Sequence, residues 1–345
     1  LSRKVGEVSD AERYFDDALP LAREGEDPVN VADILNNSGL LMLATGRLEE
    51  GIAQLQSAIP LAQQVDSPNV EGALNLNIGD GYFRLGVYDK AIDAYRRAFD
   101  VVGRLKLPRR SARALTALAE VQFDSGDRTA ADSTIARALA LYEQSGDRTG
   151  TAETQALYGR MLHASGDSEH AVALFAQARP VLRDGHIRLA EARVLTTWAA
   201  VDMDRGDPDA ALAKADEALR LARIIANPGT EQAALYVRAL ALRKLNRVDE
   251  AIDAIAKATS GVESLRGSIQ RTELRTSYLA TVRRYFDLHI DLLQQNGDAA
   301  AAFQMAERGR SRTLLDGLAE SAAKISRGVD PALIRRRRTL QAQLN

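Results

Sequence analysis

The chain has 345 residues, with 45 basic and 47 acidic side chains and a formal net charge of −2. Apolar residues make up 46%, aromatics 5%, and cysteine is absent, which excludes a disulfide framework, a zinc ribbon, an iron–sulfur cluster and a thiolate nucleophile. The balanced charge argues against a chain that wraps nucleic acid, and the apolar content excludes a disordered one. Length alone predicts roughly two domains of ~150 residues, unless internal repeats replace that division.

The chain opens Leu1-Ser2-Arg3-Lys4, with neither an initiator Met nor an apolar leader, and stops at Leu340 to Asn345 inside a helical pattern. It therefore reads as a fragment of something longer. No run of ~18 apolar residues predicts a membrane span, and a soluble, cytoplasmic setting is the expectation.

Repeats then organise the sequence. Gly6, Gly46, Gly86, Gly126, Gly166, Gly206 and Asn246 fall 40 residues apart, each after an apolar stretch. Twelve residues after each stands Ala18, Ala58, Ala98, Ala138, Ala178, Ala218 or Ala258. Nine after stand Phe15, Leu55, Tyr95, Ile135, Phe175, Ala215 and Ile255, and seven before stand Gly39, Gly79, Ala119, Gly159, Ala199 and Ala239. Three- and four-residue spacing within a period predicts two amphipathic helices. The Gly or Asn ends the first helix in a left-handed conformation, and the polar residues after it start the second. The prolines obey the same grid: Pro28, Pro68, Pro108 and Pro228 separate one repeat from the next, while Pro20, Pro60 and Pro180 fall late in second helices. Small residues on one helix let the other approach closely, and a larger residue fills the space between. Such units cannot bury both faces alone and must stack into a solenoid.

This pattern resembles the tetratricopeptide repeat (TPR), which Gly79, Gly86, Tyr88, Ala91, Tyr95 and Ala98 match position by position. The usual period is ~34 residues; the longer one is similar to the long-helix repeats of kinesin light chains and bacterial peptide-sensing regulators. The resemblance implies an all-α superhelix. Residues 1–24 are then the second helix of a truncated repeat, 25–268 six tandem repeats, 269–319 a longer terminal repeat, and 320–345 a linker and the start of a basic helix.

The grid breaks once. Gly297, in the turn Asn296-Gly297-Asp298, lies 51 residues after Asn246, so the preceding helix, roughly Arg271 to Gln295, is predicted to be long. Its partner carries Phe303, Ala306, Glu307, Arg308, Arg310, Ser311, Arg312, Leu314, Leu315 and Asp316, followed by Gly328-Val329-Asp330-Pro331 and Leu333. This ending looks like the junction between TPR repeats and a CHAT domain, a caspase-like protease module with a His/Cys dyad, in bacterial proteins. The resemblance implies that Glu307, Arg308, Arg310, Arg312 and Asp316 form a junction to a C-terminal domain of the parent. The present chain would be its regulatory arm, with no catalysis of its own. A terminal capping repeat with a solvated charged face fits the same residues.

In solenoids of this family the first helices line a concave groove that holds a protein or peptide. The positions facing it are expected to include Asn36, Asn37, Leu40, Asn77, Asp80, Phe83, Arg84, Thr116, Glu120, Phe123, Asp124, Arg160 and His163. Ile34-Leu35-Asn36-Asn37 is similar to the L-N-N of kinesin-light-chain repeats. Asn37 and Asn77 share one grid position, and amides there can pair with the backbone of an extended peptide; the alternative is pairing with neighbouring helices. Arg113, Arg160 and Arg193 either clamp acidic groups or lie on a solvated face.

Arg335 to Arg338 form a basic run without interleaved aromatics, so a face packed on another domain is expected rather than nucleic-acid binding. His163, Asp167 and His170 match no ligand spacing. Trp198 falls at a core position, and no Gly-rich phosphate loop is present. Neither a metal, a cofactor nor a membrane partner is expected. A ligand-sensing regulator and an assembly scaffold are the rival functions.

Overall fold

A computed structural model describes residues 2–308. Among them every regular element is helical. The first helices are α2 (Pro28–Ala44), α4 (Pro68–Arg84), α6 (Pro108–Asp124), α8 (Arg148–Ala164), α10 (Arg188–Asp204), α12 (Pro228–Lys244) and α14 (Thr272–Gln295). The second helices are α1 (Ser2–Glu24), α3 (Leu48–Gln64), α5 (Tyr88–Gly103), α7 (Arg128–Ser145), α9 (Ser168–Asp184), α11 (Pro208–Ile225) and α13 (Val248–Ser268). Residues 299–308 begin one more helix.

The turns are built as the grid predicts. Gly46, Gly86, Gly126, Gly166 and Gly206 have φ between +71° and +96°, and Asn246 has φ +58°. Asp127, Asp167 and Asp207 then cap α7, α9 and α11 by accepting from the backbone N–H three residues on. Pro28, Pro68, Pro108, Pro208 and Pro228 occupy the first helical turn, where a missing N–H costs nothing. Gly6 departs from the expectation, because α1 runs through it. The turns between repeats hold a second series of positive φ values, at Glu26, Asp66, Lys106, Gly146, His186 and Ala226, also 40 residues apart. Only one of these is glycine, so composition does not mark them.

Small-to-large pairing holds each repeat together. A Cβ built on Gly79 would lie 2.4 Å from the Tyr95 ring, one on Gly159 2.6 Å from Phe175, and one on Gly39 2.7 Å from Leu55. Where the first helix carries Ala119, Ala199 or Ala239, the grid partner is Ile135, Ala215 or Ile255, all fully or almost fully buried.

First helices of successive repeats touch one another from α2 to α12, whereas second helices have at most marginal mutual contact. The stack therefore curves with the first helices inside. It also returns on itself. The end of α13 and the start of α14 lie against the α2–α3 and α4–α5 turns: Ser268 Oγ donates to Gly46 O at 2.8 Å, and Thr281 and Ser277 lie beside Gly86. One buried cluster consequently joins Leu35, Leu48 and Leu85 with Leu265, Ile269, Leu274 and Tyr278.

Gly79→Ala is expected to lower stability by about 1–3 kcal/mol through overpacking against Tyr95. Gly103→Ala, with nothing within 4 Å of an added Cβ, should leave stability unchanged or raise it. Urea unfolding of both variants tests the difference. Equal midpoints would mean that the close approach does not set helix spacing.

Candidate concave binding face

The exposed stripe of each first helix looks inward, and most groups predicted there are already engaged. Asn77 is buried and its Nδ2 donates to Asn36 Oδ1 at 2.9 Å. That pair ties α4 to α2. Asn37 is exposed and has no side-chain hydrogen bond among the described residues, so Asn37 and Asn77, equivalent in sequence, differ in surroundings. Arg84 donates through Nη1 to the carbonyl of Leu43 in the preceding repeat. Arg160 pairs with Asp124 at 2.8 Å and Glu120 at 3.4 Å, and its guanidinium lies 5.3 Å from the Phe123 ring centroid. Burial pushes the Arg160 pKa down, and the two carboxylates more than reverse it. Thr116 and Thr154 hydroxyls meet at 3.0 Å between α6 and α8.

A different set makes no ion pair among the described residues. Asp80 accepts from Tyr95 Oη at 2.7 Å but has no ion pair among the described residues. Burial pushes its carboxyl up from the usual range, against the pull of Tyr95, Arg113 and Arg193. Burial also raises Glu153, again opposed by Arg113 and Arg193. Arg113 and Arg193 are exposed, and their guanidinium groups make no hydrogen bond or ion pair among the described residues. Two guanidiniums thus share a field with two partly desolvated carboxylates, contributed by α4, α6, α8 and α10. Arg113, Glu153 and Arg193 occupy one grid phase, thirteen residues before their turn glycines.

Elsewhere, candidate chemistry separates. His163 Nδ1 lies 2.9 Å from Ser168 Oγ and its Nε2 lies 3.1 Å from Asp204. Asp204 is 71% exposed, so this Ser–His–Asp contact links α8, α9 and α10 at the open surface. His170 pairs instead with Asp167 at 2.7 Å. Among the described residues no group of three His, Asp or Glu side chains is placed to hold a metal. Nor is any helix there long and apolar enough to cross a membrane. Trp198 is half-buried, between Phe175 (6.0 Å between centroids) and the Lys214 ammonium (5.1 Å), rather than fully in the core. Of the junction residues, Glu307 and Arg308 end the last described helix; Arg310, Arg312 and Asp316 lie outside the described residues.

His289 is buried on α14, 3.1 Å from Thr259 Oγ1. Burial and the Arg308 charge lower its pKa. A lowered folded-state pKa leaves stability intact above the unfolded value of about 6.5. As pH falls below that, the unfolded chain takes a proton that the native state refuses, and stability declines down to the folded pKa. The melting temperature of wild type should therefore fall between pH 7 and pH 5 more steeply than that of His289→Gln. Parallel curves would contradict this assignment.

Residues 2–261 match the sequence profile of a family described as the MalT-like TPR region. No curated protein matches the chain. Among solved structures, the Rap conjugation gene regulator of plasmid pLS20, in complex with the Phr* peptide, aligns with a TM-score of 0.61 at 15% identity, covering 85% of this chain and 78% of that one. A Rap protein complexed with competence and sporulation factor aligns at 0.54 and 13%, covering 84% and 87%. A STAND protein with a tetratricopeptide repeat sensor from Pyrococcus horikoshii aligns at 0.51 and 12%, covering 92% of this chain but 55% of that one. At these identities the likeness is one of fold.

Proposed function

The chain belongs to the MalT-like TPR family, and from that premise we propose that it is a non-catalytic scaffold whose concave face holds an extended protein or peptide segment. The observation that carries this reading is the Asp80–Glu153–Arg113–Arg193 cluster. Among the described residues, half-buried Asp80 and exposed Glu153 have no direct cation and the exposed Arg113 and Arg193 guanidiniums no direct anion, while desolvation pushes each carboxyl up. Half-burying Asp80 without a countercharge costs stability, as a surface kept for a ligand does. Asn37 and Leu40, both exposed on α2, extend the same face. Asn36, Asn77, Arg84, Glu120 and Arg160 shape its wall through their ties between repeats. The Phr* peptide held by one Rap structure, and the competence and sporulation factor held by the other, support the same reading by analogy of fold.

The sequence from Ala306 to Asp316, with Gly328-Val329-Asp330-Pro331 beyond it, supports a second level of the proposal. By that resemblance the scaffold is the regulatory arm of a CHAT-type protease of bacterial origin, and its other partner is that protease domain. A cytoplasmic setting goes with it, and its support is the complete absence of cysteine. A ligand-sensing regulator or an assembly scaffold in signal transduction would use the same face.

Selection of a random-peptide phage library on the chain tests the groove. Selected peptides should lose about tenfold or more in affinity for Arg113→Glu/Arg193→Glu, and none for Asp132→Lys on the second-helix side. Peptides that ignore the double variant would remove the concave face from the proposal.

Asp80→Asn gives an independent check. A raised carboxyl pKa favours the native state only below the ordinary range, and that advantage is lost as pH rises through the folded value. At pH 7 the ionised group is a cost. The amide keeps the Tyr95 acceptor without the charge, so the melting temperature should rise by roughly 1–4 °C while peptide affinity falls.

A further inference from the structure

The one interruption of the 40-residue grid, between Asn246 and Gly297, builds a corner that the groove reading leaves without a role. It extends α13 to 21 residues, where α3 and α9 have 17. The corner ends on Ile269, which is buried at 2% exposure. The next backbone groups leave their own repeat for a partner more than 200 residues away. Glu49 Oε2 accepts from the backbone N–H of Gln270 and of Arg271, each at 3.1 Å, and Glu49 Oε1 accepts from Arg271 Nε. Arg271 is the N-cap residue of α14 and supplies no side-chain cap of its own. Glu49, on α3, thus caps the start of α14 in trans, its negative charge set at the positive end of the helix dipole. Ser268 Oγ adds its bond to Gly46 O.

The turn glycines show that this contact is specific to one end of the solenoid. Gly46, Gly86, Gly126, Gly166 and Gly206 share one phase and one sign of φ. At Gly126, Gly166 and Gly206 an added Cβ would meet nothing within 4 Å. At Gly46 it would lie 2.2 Å from Leu265 Cδ2, and at Gly86 2.6 Å from Thr281 Cγ2 and 2.8 Å from Ser277 O. Two of the five are therefore needed both for the turn and for the absence of a side chain.

We propose that the α13–α14 corner is a latch. Shut on Glu49 and Gly46, it closes the repeats into a ring and shields the concave face from the side; released, it lets an extended peptide enter laterally. The second clause rests on the groove reading; the first does not. The latch combines an apolar seam, in which Leu265, Ile269, Leu274 and Tyr278 share one buried cluster with Leu48 and Leu85, with an ionic clasp that can be released. One carboxylate and one hydroxyl make its polar bonds, whereas each helix pair is held along its length. Its ionic part is also weakened by salt.

Three variants test it. Glu49→Lys places a cation against Arg271 and the start of α14. Gly46→Asn adds a side chain at the latch, and Gly126→Asn adds the same side chain at an open turn. Asn246 shows that asparagine adopts this conformation. Small-angle scattering of the full chain should show a larger maximum dimension for Glu49→Lys and Gly46→Asn, with Gly126→Asn at the wild-type value. Amide exchange at Gln270 and Arg271 should quicken about tenfold in the same two variants. If Gly46→Asn and Gly126→Asn behave alike in both measurements, the latch is overturned. Neither measurement uses a ligand, so that failure leaves the groove reading standing. Stopped-flow binding of a phage-selected peptide then tests the gate: a faster association rate in the two latch variants supports it, and an unchanged rate in an opened ring overturns it. If selection on the chain yields no peptide that depends on the concave face, the groove reading and the gate fall together, and the latch is judged on scattering and exchange alone.

Discussion

The approach of the two helices within each repeat, set by a residue without bulk facing one that has it, is the constraint on which the other features depend. At Gly39, Gly79 and Gly159 the first helix lies so close to its partner that even a methyl group would strike Leu55, Tyr95 or Phe175. Close packing of this kind leaves the other face of the first helix free to touch the next first helix. Second helices are held outside and apart, and curvature follows. The concave face, the ties across repeats and the return of α14 to the first turns all inherit that geometry. Interiors packed to crystal-like density transmit such choices over long distances.

The inner face shows how a repetitive scaffold acquires local character. Its repeating backbone offers the same positions in each unit, yet their chemistry diverges. Asn36 and Asn77 satisfy each other, Arg160 is neutralised by Glu120 and Asp124, and Arg84 caps a carbonyl of the previous repeat. These groups stabilise the stack and are poor partners for anything else. Asp80, Arg113, Glu153 and Arg193 are different because each feels charge without touching it. Around half-buried Asp80 such charges are screened less than in open water. A ligand able to contact them directly gains from an arrangement already in place.

Much of this was legible in the amino-acid order. The glycine and alanine phases predicted two helices per period, the left-handed turns and the small-to-large pairs, because each rests on neighbours within one repeat. The long α14 was legible from the single break in spacing. What could not be read involves partners unrelated by the period. No spacing signals that Asn77 turns toward Asn36 while Asn37 stays exposed. None shows that Glu49 will cap a helix beginning at Thr272, or that Gly46 and Gly126 differ. The inter-repeat turns were hidden for another reason: Glu26, Asp66, Lys106, His186 and Ala226 adopt positive φ without the residue that advertises it. For these side chains the conformation carries a modest strain, which the flanking helices over-determine.

The contact between α13–α14 and the first turns changes the statistical mechanics of the array. A stack of repeats in which each unit touches only its neighbours is an open one-dimensional chain, and its terminal units fray first because they have one neighbour instead of two. Joining Gly46 and Glu49 to residues 265–271 replaces the open boundary with a periodic one over the repeats between. A unit inside a closed circuit has no free end from which melting can spread. The repeats between α2 and α14 thus form one cooperative block, in which loss of any unit is felt on both sides.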